Sequence, residues 1–540
     1  MLLKGFAWLG IILESAFTDC QYLSRPDLSP PKLNITVPAL SETESGFIFV
    51  APKKAAELYE NLAMQAAPYI YRDDGELVWS GMGYYCGYVI NFGVMELNGE
   101  PALRAFQGSM DGSRLKMNGQ HAILNNKYQT VGIVRPASHL LASGHEVNVL
   151  GGRSVLIEVS TPVPTDLSLI GGDQEQKWVV SSGFQELDLE TGELIFEWYS
   201  LDHISPNYSD LFLKPTGPWS GRSALDAYHY FALNSIDKDD QGNYLISSRH
   251  CSAIFKISGT NGNIIWQLGG RQGSDFQIPS NLEFAYQHHA RFRYRSPDGS
   301  IERISFLDNA NSDAQPHHFT GRVSRIRYIE LNHTTKSISE IWTYPAPDDL
   351  IAVAQGSLQF LPNGNAFVNW GSAGAITEYS ENGTILFHAY LDSYPSEYVH
   401  SYRGFRSNWT GISSEEPAVL AFKLQSQGLM MWVSWNGDTE TKAWRFYLQD
   451  SRSSQKVNVL GTQSRKGFET RFQSNLDQSL EEFQKYFIVA EALNSSGHVI
   501  GRSRPVKIQD DKPYRAHIDK LELQSFEKER ILSAQERMEL

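Results

Sequence analysis

The sequence holds three cysteines in 540 residues, Cys20, Cys86 and Cys251, and no C-x-x-C pair, so no disulfide framework is expected. No apolar run beyond the N-terminus is long enough to span a bilayer. Basic residues are outnumbered, 47 Lys and Arg against 61 Asp and Glu, and they form no stripe. With a net charge of −14, nucleic acid is not expected as a partner. A local cluster of His and Arg can still oppose the global sign and receive a small anion. There is no H-E-x-x-H, and carboxylates do not accompany the histidines at ligand spacing, so no metal site is expected. Helical periodicity is scarce: only residues 53–64 and 516–540 read as helices.

The composition is that of a folded protein, 41% apolar and 20% charged. The first residues, "MLLKGFAWLGIILESAF", resemble a signal peptide over 1–20. Six N-x-[ST] sequons, at Asn34, Asn207, Asn332, Asn382, Asn408 and Asn494, agree with a secreted, extracellular glycoprotein. The sequence names no oligomeric state.

Short runs of Val, Ile, Tyr, Phe and Trp are punctuated by Gly, Pro, Asn and Asp, which predicts an all-β chain. A strand–strand–turn–strand unit recurs over 177–198, 242–268 and 364–390, with fainter copies at 73–81 and 337–345. Its turn carries Thr-Gly in the first unit, Asn-Gly in the other two and Asp-Gly in the copy at 73–81, and Asn-Gly and Asp-Gly favour tight hairpins. One such meander cannot bury both faces, and radial packing of several gives each a neighbour on both sides. Residues 45–415 are therefore expected to form a β-propeller of six blades. After a boundary near Pro417, residues 416–508 read as evenly spaced strands of a small fibronectin III-like β-sandwich. A charged tail, 509–540, follows.

Reactive side chains concentrate in "DAYHYFALNSID" (226–237), "SSRHCS" (247–252), "YQHHARF" (286–292) and "FLDNANSDAQPHH" (306–318). Imidazole is a nucleophile or base near neutral pH. The guanidinium fork matches sulfate, phosphate or carboxylate oxygens, and Asn can orient an oxyanion. His229, His288 and Arg249 are the catalytic candidates; Asn234, Asp308, Asn309, His289 and Arg291 are candidates for substrate binding. Strand alternation is expected to turn His288 and His289 to opposite faces, with His289 on the face of Gln287 and Arg291. A lone histidine in a β-protein is more often structural, and that reading is assigned to His145, His203, His333, His388, His400 and His498.

The stretches "DAYHYFALNSIDKDDQGNYLISSRHCSAIFKISGTNGNIIWQLGG", "FAYQHHARF", "FLDNA", "QGSLQFLPNGNAFVNWGSAGAITEY", "SYRGFRSNWTG" and "VSWNGDTETKAWRFY" together resemble the fungal branch of the arylsulfotransferase family, over about residues 45–505. The resemblance implies a six-bladed propeller followed by a β-sandwich. It also implies transfer of a sulfuryl group from a phenolic sulfate to a phenol acceptor, without a nucleotide cofactor, through a sulfated channel histidine. His229 matches the histidine of the family's D-x-x-H stretch, Arg249 the arginine of S-S-R, and His288 the histidine of Q-H-x-A. Asp308 and Asn309 match the start of D-N-G. The Q-H-x-A match selects His288, rather than His289, to face the channel. The sequence departs from the pattern in two places: where the bacterial relatives place the sulfated histidine, the corresponding segment 352–365 has none, and the glycine and following arginine of the D-N-G stretch are missing. His229 or His288 then serves as nucleophile, transfer is direct, or the chain is a non-catalytic extracellular binding propeller.

Overall fold

A computed structural model describes residues 22–54, 65–111, 116–312, 319–392, 399–424, 428–476 and 478–511. The expected signal peptide, all but the first two residues of the expected helix over 53–64, His317 and His318, and the tail from 512 onwards lie outside the described residues. Lys53 and Lys54, at the start of that expected helix, end the strand Phe47–Lys54.

The described chain is built almost wholly of antiparallel strands. The first meander comprises Phe47–Lys54, Tyr69–Tyr71 and Leu77–Ser80, and the distant strand Val399–Ser407 completes its sheet by pairing Phe47 with Ser407. Two four-stranded meanders follow, 88–134 and 142–199, joined through Gly119 opposite Ala142. Three more sheets span 233–269, 288–345 and 357–390, the last gaining Asn34–Val37 at its outer edge. The repeat units at 242–268 and 364–390 each supply three strands, as their turn signals predict. The unit at 177–198 does not. Trp178–Asp188 is one unbroken strand, because Ser181-Ser182-Gly183 continues the ladder against Val159–Thr161 instead of turning.

The leading strands of these sheets are Tyr88–Leu97, Ala142–Leu150, Leu233–Lys238, His288–Arg295, Ser357–Phe360 and Val399–Ser407. Each contacts the next, and the last contacts the first. The interfaces between neighbouring sheets are apolar. Phe184, Trp198, Phe231 and Phe255 fill one, Ile254, Trp266, Ile304 and Phe306 the next, and Phe49, Trp79, Phe92 and Leu103 another. Two further sheets, 418–434 with 469–474 and 443–464 with 486–507, share a separate core around Met431, Trp444, Phe446 and Ile488. Gln509–Asp510 still pairs, in parallel, with Ala418–Leu424. This region docks on the first meander through Asn436, which exchanges two hydrogen bonds with the Ser80 backbone, and on the second through Tyr128 Oη, which donates to Gly437 O at 2.6 Å.

One charge cluster ties the leading strands together. The fully buried carboxylate of Glu146 lies 2.7 Å from Arg403 Nη1 and 2.7 Å from Arg291 Nη2. It also accepts the backbone amides of Val147 and Ile236. Arg403 in turn donates to the carbonyls of His145 and Asn234. Burial alone pushes the Glu146 carboxyl up, but Arg291 and Arg403 reverse this and hold it at about 2. Its contribution to stability is therefore complete above the ordinary value of 4.5 and is lost as pH falls towards 2. Replacing Arg403 with Met leaves a buried carboxylate half-neutralised, and urea unfolding at neutral pH is expected to show a loss of about 3–5 kcal/mol.

Candidate functional site

His229, Asn234, His288, His289 and Arg291 lie at the beginnings of two leading strands or in the loop before one, whereas Arg249 follows Tyr244–Ser248, and Asp308 and Asn309 close Ile301–Asp308 and open the loop after it. The backbone around these positions leaves regular geometry. Ala232, Tyr286, His289, Ala310 and Gln355 all have positive φ, between 53° and 67°. Such conformations are costly for residues with a Cβ and persist where surrounding contacts enforce them. Ladder register shifts accompany them, between Leu233 and Ser235 and between His288 and Arg291.

That bulge decides the fate of the two adjacent histidines. With His289 at φ 57°, the pair does not alternate as in a flat strand. His288 Nδ1 faces Asn309 Oδ1 at 2.7 Å and Tyr286 O at 3.0 Å, and its Nε2 accepts the amide of Gln355 at 3.2 Å. Asn309 is held for this by donating its Nδ2 to Ala352 O and Gln355 O. Both imidazole nitrogens of His288 are thus occupied, and the ring pins the 352–356 segment. His289 turns to the next sheet, where its Nδ1 meets the backbone of Leu358. Gln287 reaches back to the preceding sheet, donating to Ser247 Oγ, Ser248 O and Ala253 O. The three residues therefore share no face.

Other candidates also have inward partners. Asp308 is fully buried and accepts from Arg325, Arg327 and the amides of Ala285 and Ala310. Arg291 is bound to Glu146. Asn234 donates to Gln287 O at 2.7 Å, while its Oδ1 is buried with no partner among the described residues.

His229 is different. It borders a cavity of about 30 Å³ together with Ser143, His145, Ser160, Trp219 and Leu225. Its Nε2 is buried and has no hydrogen-bond partner among the described residues. Burial holds the ring far below the ordinary imidazole value, at about 3, with His145 and Arg249 adding to the effect. Beside it, His250 donates Nδ1–H to the carbonyl of His229 and accepts Arg249 Nη1 on Nε2 at 2.7 Å. Arg249 also donates to Ser312 Oγ and to Val353 O. His250 thereby aims the guanidinium, whose charge lowers both His229 and His288. Trp219 covers the group, with its ring 6.3 Å from His229 and 5.7 Å from His250.

Sequence reasoning assigned His145 a structural place, yet it borders the same cavity. Its Nδ1 meets Glu158 Oε2 at 2.7 Å and Ser143 Oγ at 2.7 Å. Glu158 is fully buried and also accepts Ser160 Oγ at 3.0 Å. The only sequence signal was the alternation of Ser143 and His145, and of Glu158 and Ser160, on neighbouring strands. Their opposition depends on register: the ladder pairs Ile157 with Val147 and then skips to Val159 with Ala142. Of the sequons, Asn207, Asn382 and Asn408 are exposed, and Asn34, Asn332 and Asn494 are half-exposed.

The arylsulfotransferase (ASST) family model matches residues 93–391, more than half of the sequence. The chain belongs to the arylsulfotransferase family. No curated protein matches its sequence. Among solved structures, a protein of unknown function from Bacteroides caccae is similar at 11% identity and TM-score 0.36, over 67% of this chain and 100% of that one. A mutant of the GH43 protein BlXynB from Bacillus licheniformis is similar at 10% identity and TM-score 0.31, over 78% of this chain and 90% of that one. Neither likeness carries weight for fold or function. The family match spans the cavity, His229, Arg249, His288 and Asn309. No helix of the described residues is long and apolar enough to cross a membrane.

The titration of the buried histidines has a defined sign. His121, His229 and His288 stay neutral down to about 3, whereas unfolded imidazoles take up protons near 6.5. The unfolded state binds more protons in that window, so stability falls as pH drops below 6.5. Ring NMR signals of His229 and His288 are expected not to titrate between about pH 8 and about pH 5, while the denaturation midpoint declines across the lower part of that range.

Proposed function

We propose that this family member transfers a sulfuryl group from an aryl sulfate to a phenol, with His229 as the nucleophile. The observation that carries the reading is the bare, neutral Nε2 of His229 at the cavity, beside a guanidinium held by His250. A neutral imidazole nitrogen can attack sulfur, and the S–O bond then breaks with its electron pair leaving on phenolate oxygen. The Arg249 charge opposes the negative charge that develops on the sulfuryl oxygens. His288 acts as a strut: its nitrogens are bound to Asn309 and Gln355, so it fixes the segment that lacks the bacterial histidine. No nucleotide or metal is needed for this chemistry.

The cavity is far smaller than an aryl sulfate. Binding therefore requires the segment carrying Trp219 and Leu225 to move. Trp219 has φ 65°, a costly conformation that persists only while its surroundings enforce it. The closed run of contacts among the leading strands supports a six-bladed propeller over about 45–415, and the shared core of the last two sheets supports a fibronectin III-like sandwich after it. The exposed and half-exposed sequons agree with a secreted glycoprotein.

Purified protein given 4-nitrophenyl sulfate and phenol is expected to release nitrophenolate. His229→Ala is expected to lower kcat/KM by about three orders of magnitude or more, whereas His288→Gln lowers stability more than it lowers the chemical step. No release by folded wild type over a pH series would sink the transferase reading and leave a binding propeller.

A further inference from the structure

The second imidazole at the cavity is unused by that step. His145 has the arrangement of a positioned base: one nitrogen is held by a buried carboxylate, and the other has no partner among the described residues. Glu158 accepts at His145 Nδ1 and is itself fixed by Ser160, so the protonated Nδ1 faces the carboxylate and Nε2 is left with its lone pair. The ring cannot turn over without losing both Glu158 and Ser143. Tyr402 packs edge-on against it at 5.7 Å, which fixes its plane. Its side chain is 19% exposed, against 0% for Glu158, so the ring keeps a route to the cavity while the carboxylate has none.

We propose that His145, held by Glu158, is the general base that activates the acceptor hydroxyl, an assignment that rests on the transferase reading of the same cavity. In the second half of the transfer the acceptor O–H bond breaks and its proton passes to His145 Nε2. The oxygen bonds to sulfur, and the S–N bond to His229 breaks with its electron pair returning to nitrogen. Glu158 stabilises the imidazolium that results. His145 then gives the proton to the next departing phenolate or to water, which restores the starting state. His145 is the catalytic residue and Glu158 a positioning residue. The substrate class follows from the chemistry: acceptors are phenols that are un-ionised at the working pH, and a phenol already ionised has no use for the base.

The test separates the two half-reactions in the full-length protein. 4-Nitrophenyl sulfate mixed rapidly with wild type is expected to give a burst of nitrophenolate, followed by turnover that depends on added phenol. In His145→Ala the burst persists, because nitrophenolate leaves without a proton, but turnover with phenol falls by about 10²- to 10⁴-fold. With an acceptor phenol acidic enough to be ionised at the assay pH, the same variant falls less than tenfold. Glu158→Gln, compared by thermal melting to confirm folding, is expected to show the same acceptor dependence in weaker form. Equal losses with ionised and un-ionised acceptors, or unimpaired turnover with phenol in either folded variant, would overturn the assignment while leaving the transferase intact. Folded wild type that releases no nitrophenolate, with or without phenol, would overturn both readings at once.

Discussion

Glu146 is the constraint on which the architecture turns. It sits on one leading strand, its two arginine partners sit on two others, and Arg403 also reaches the carbonyl of Asn234 on a fourth. A buried carboxylate is tolerable only when its charge and its lone pairs are both answered. Here two guanidinium groups and two backbone amides do so. The arrangement specifies which strands meet at the centre and at what height. Apolar packing between the sheets, non-directional by nature, cannot do that alone. The closing strand Val399–Ser407 brings Arg403 to this point, so closure of the chain on Phe47–Lys54 and neutralisation of Glu146 are one event.

The same cluster sets the site. His145 is next to Glu146, and its carbonyl is held by Arg403, so the ring that borders the cavity hangs from the most rigid point of the strand. Asn234 is held in the same way through its carbonyl. The loops before the leading strands are then free to take costly backbone conformations, because the strands behind them are anchored. Three histidines within reach of Arg249 are kept neutral, yet they differ in what they can do. His250 and His288 have both nitrogens bound, while His229 keeps one bare.

The strand content was legible because turn residues recur at regular offsets: Asn261-Gly262 and Asn382-Gly383 close hairpins where the sequence places them, with Gly φ at 75° and 84°. The unit at 177–198 was misread because Ser and Gly inside a strand look like a turn when the partner strand is unknown. The polar stretches were legible as a cluster, but not their division of labour. His288 and His289 were separated by an alternation that a bulge removes, and Asp308 was taken for a binding group when two arginines on the adjacent strand enclose it. His145 escaped because its partner, Glu158, is thirteen residues away across a shifted register.

By itself the sequence determined the all-β class, the repeating meander and the family, since these rest on local periodicity, turn chemistry and motifs contiguous along the chain. Only the tertiary structure decided which imidazole nitrogens are left bare. That depends on hydrogen bonds from backbone amides and carbonyls of other sheets, such as Gln355 N to His288, and no spacing along the chain encodes them.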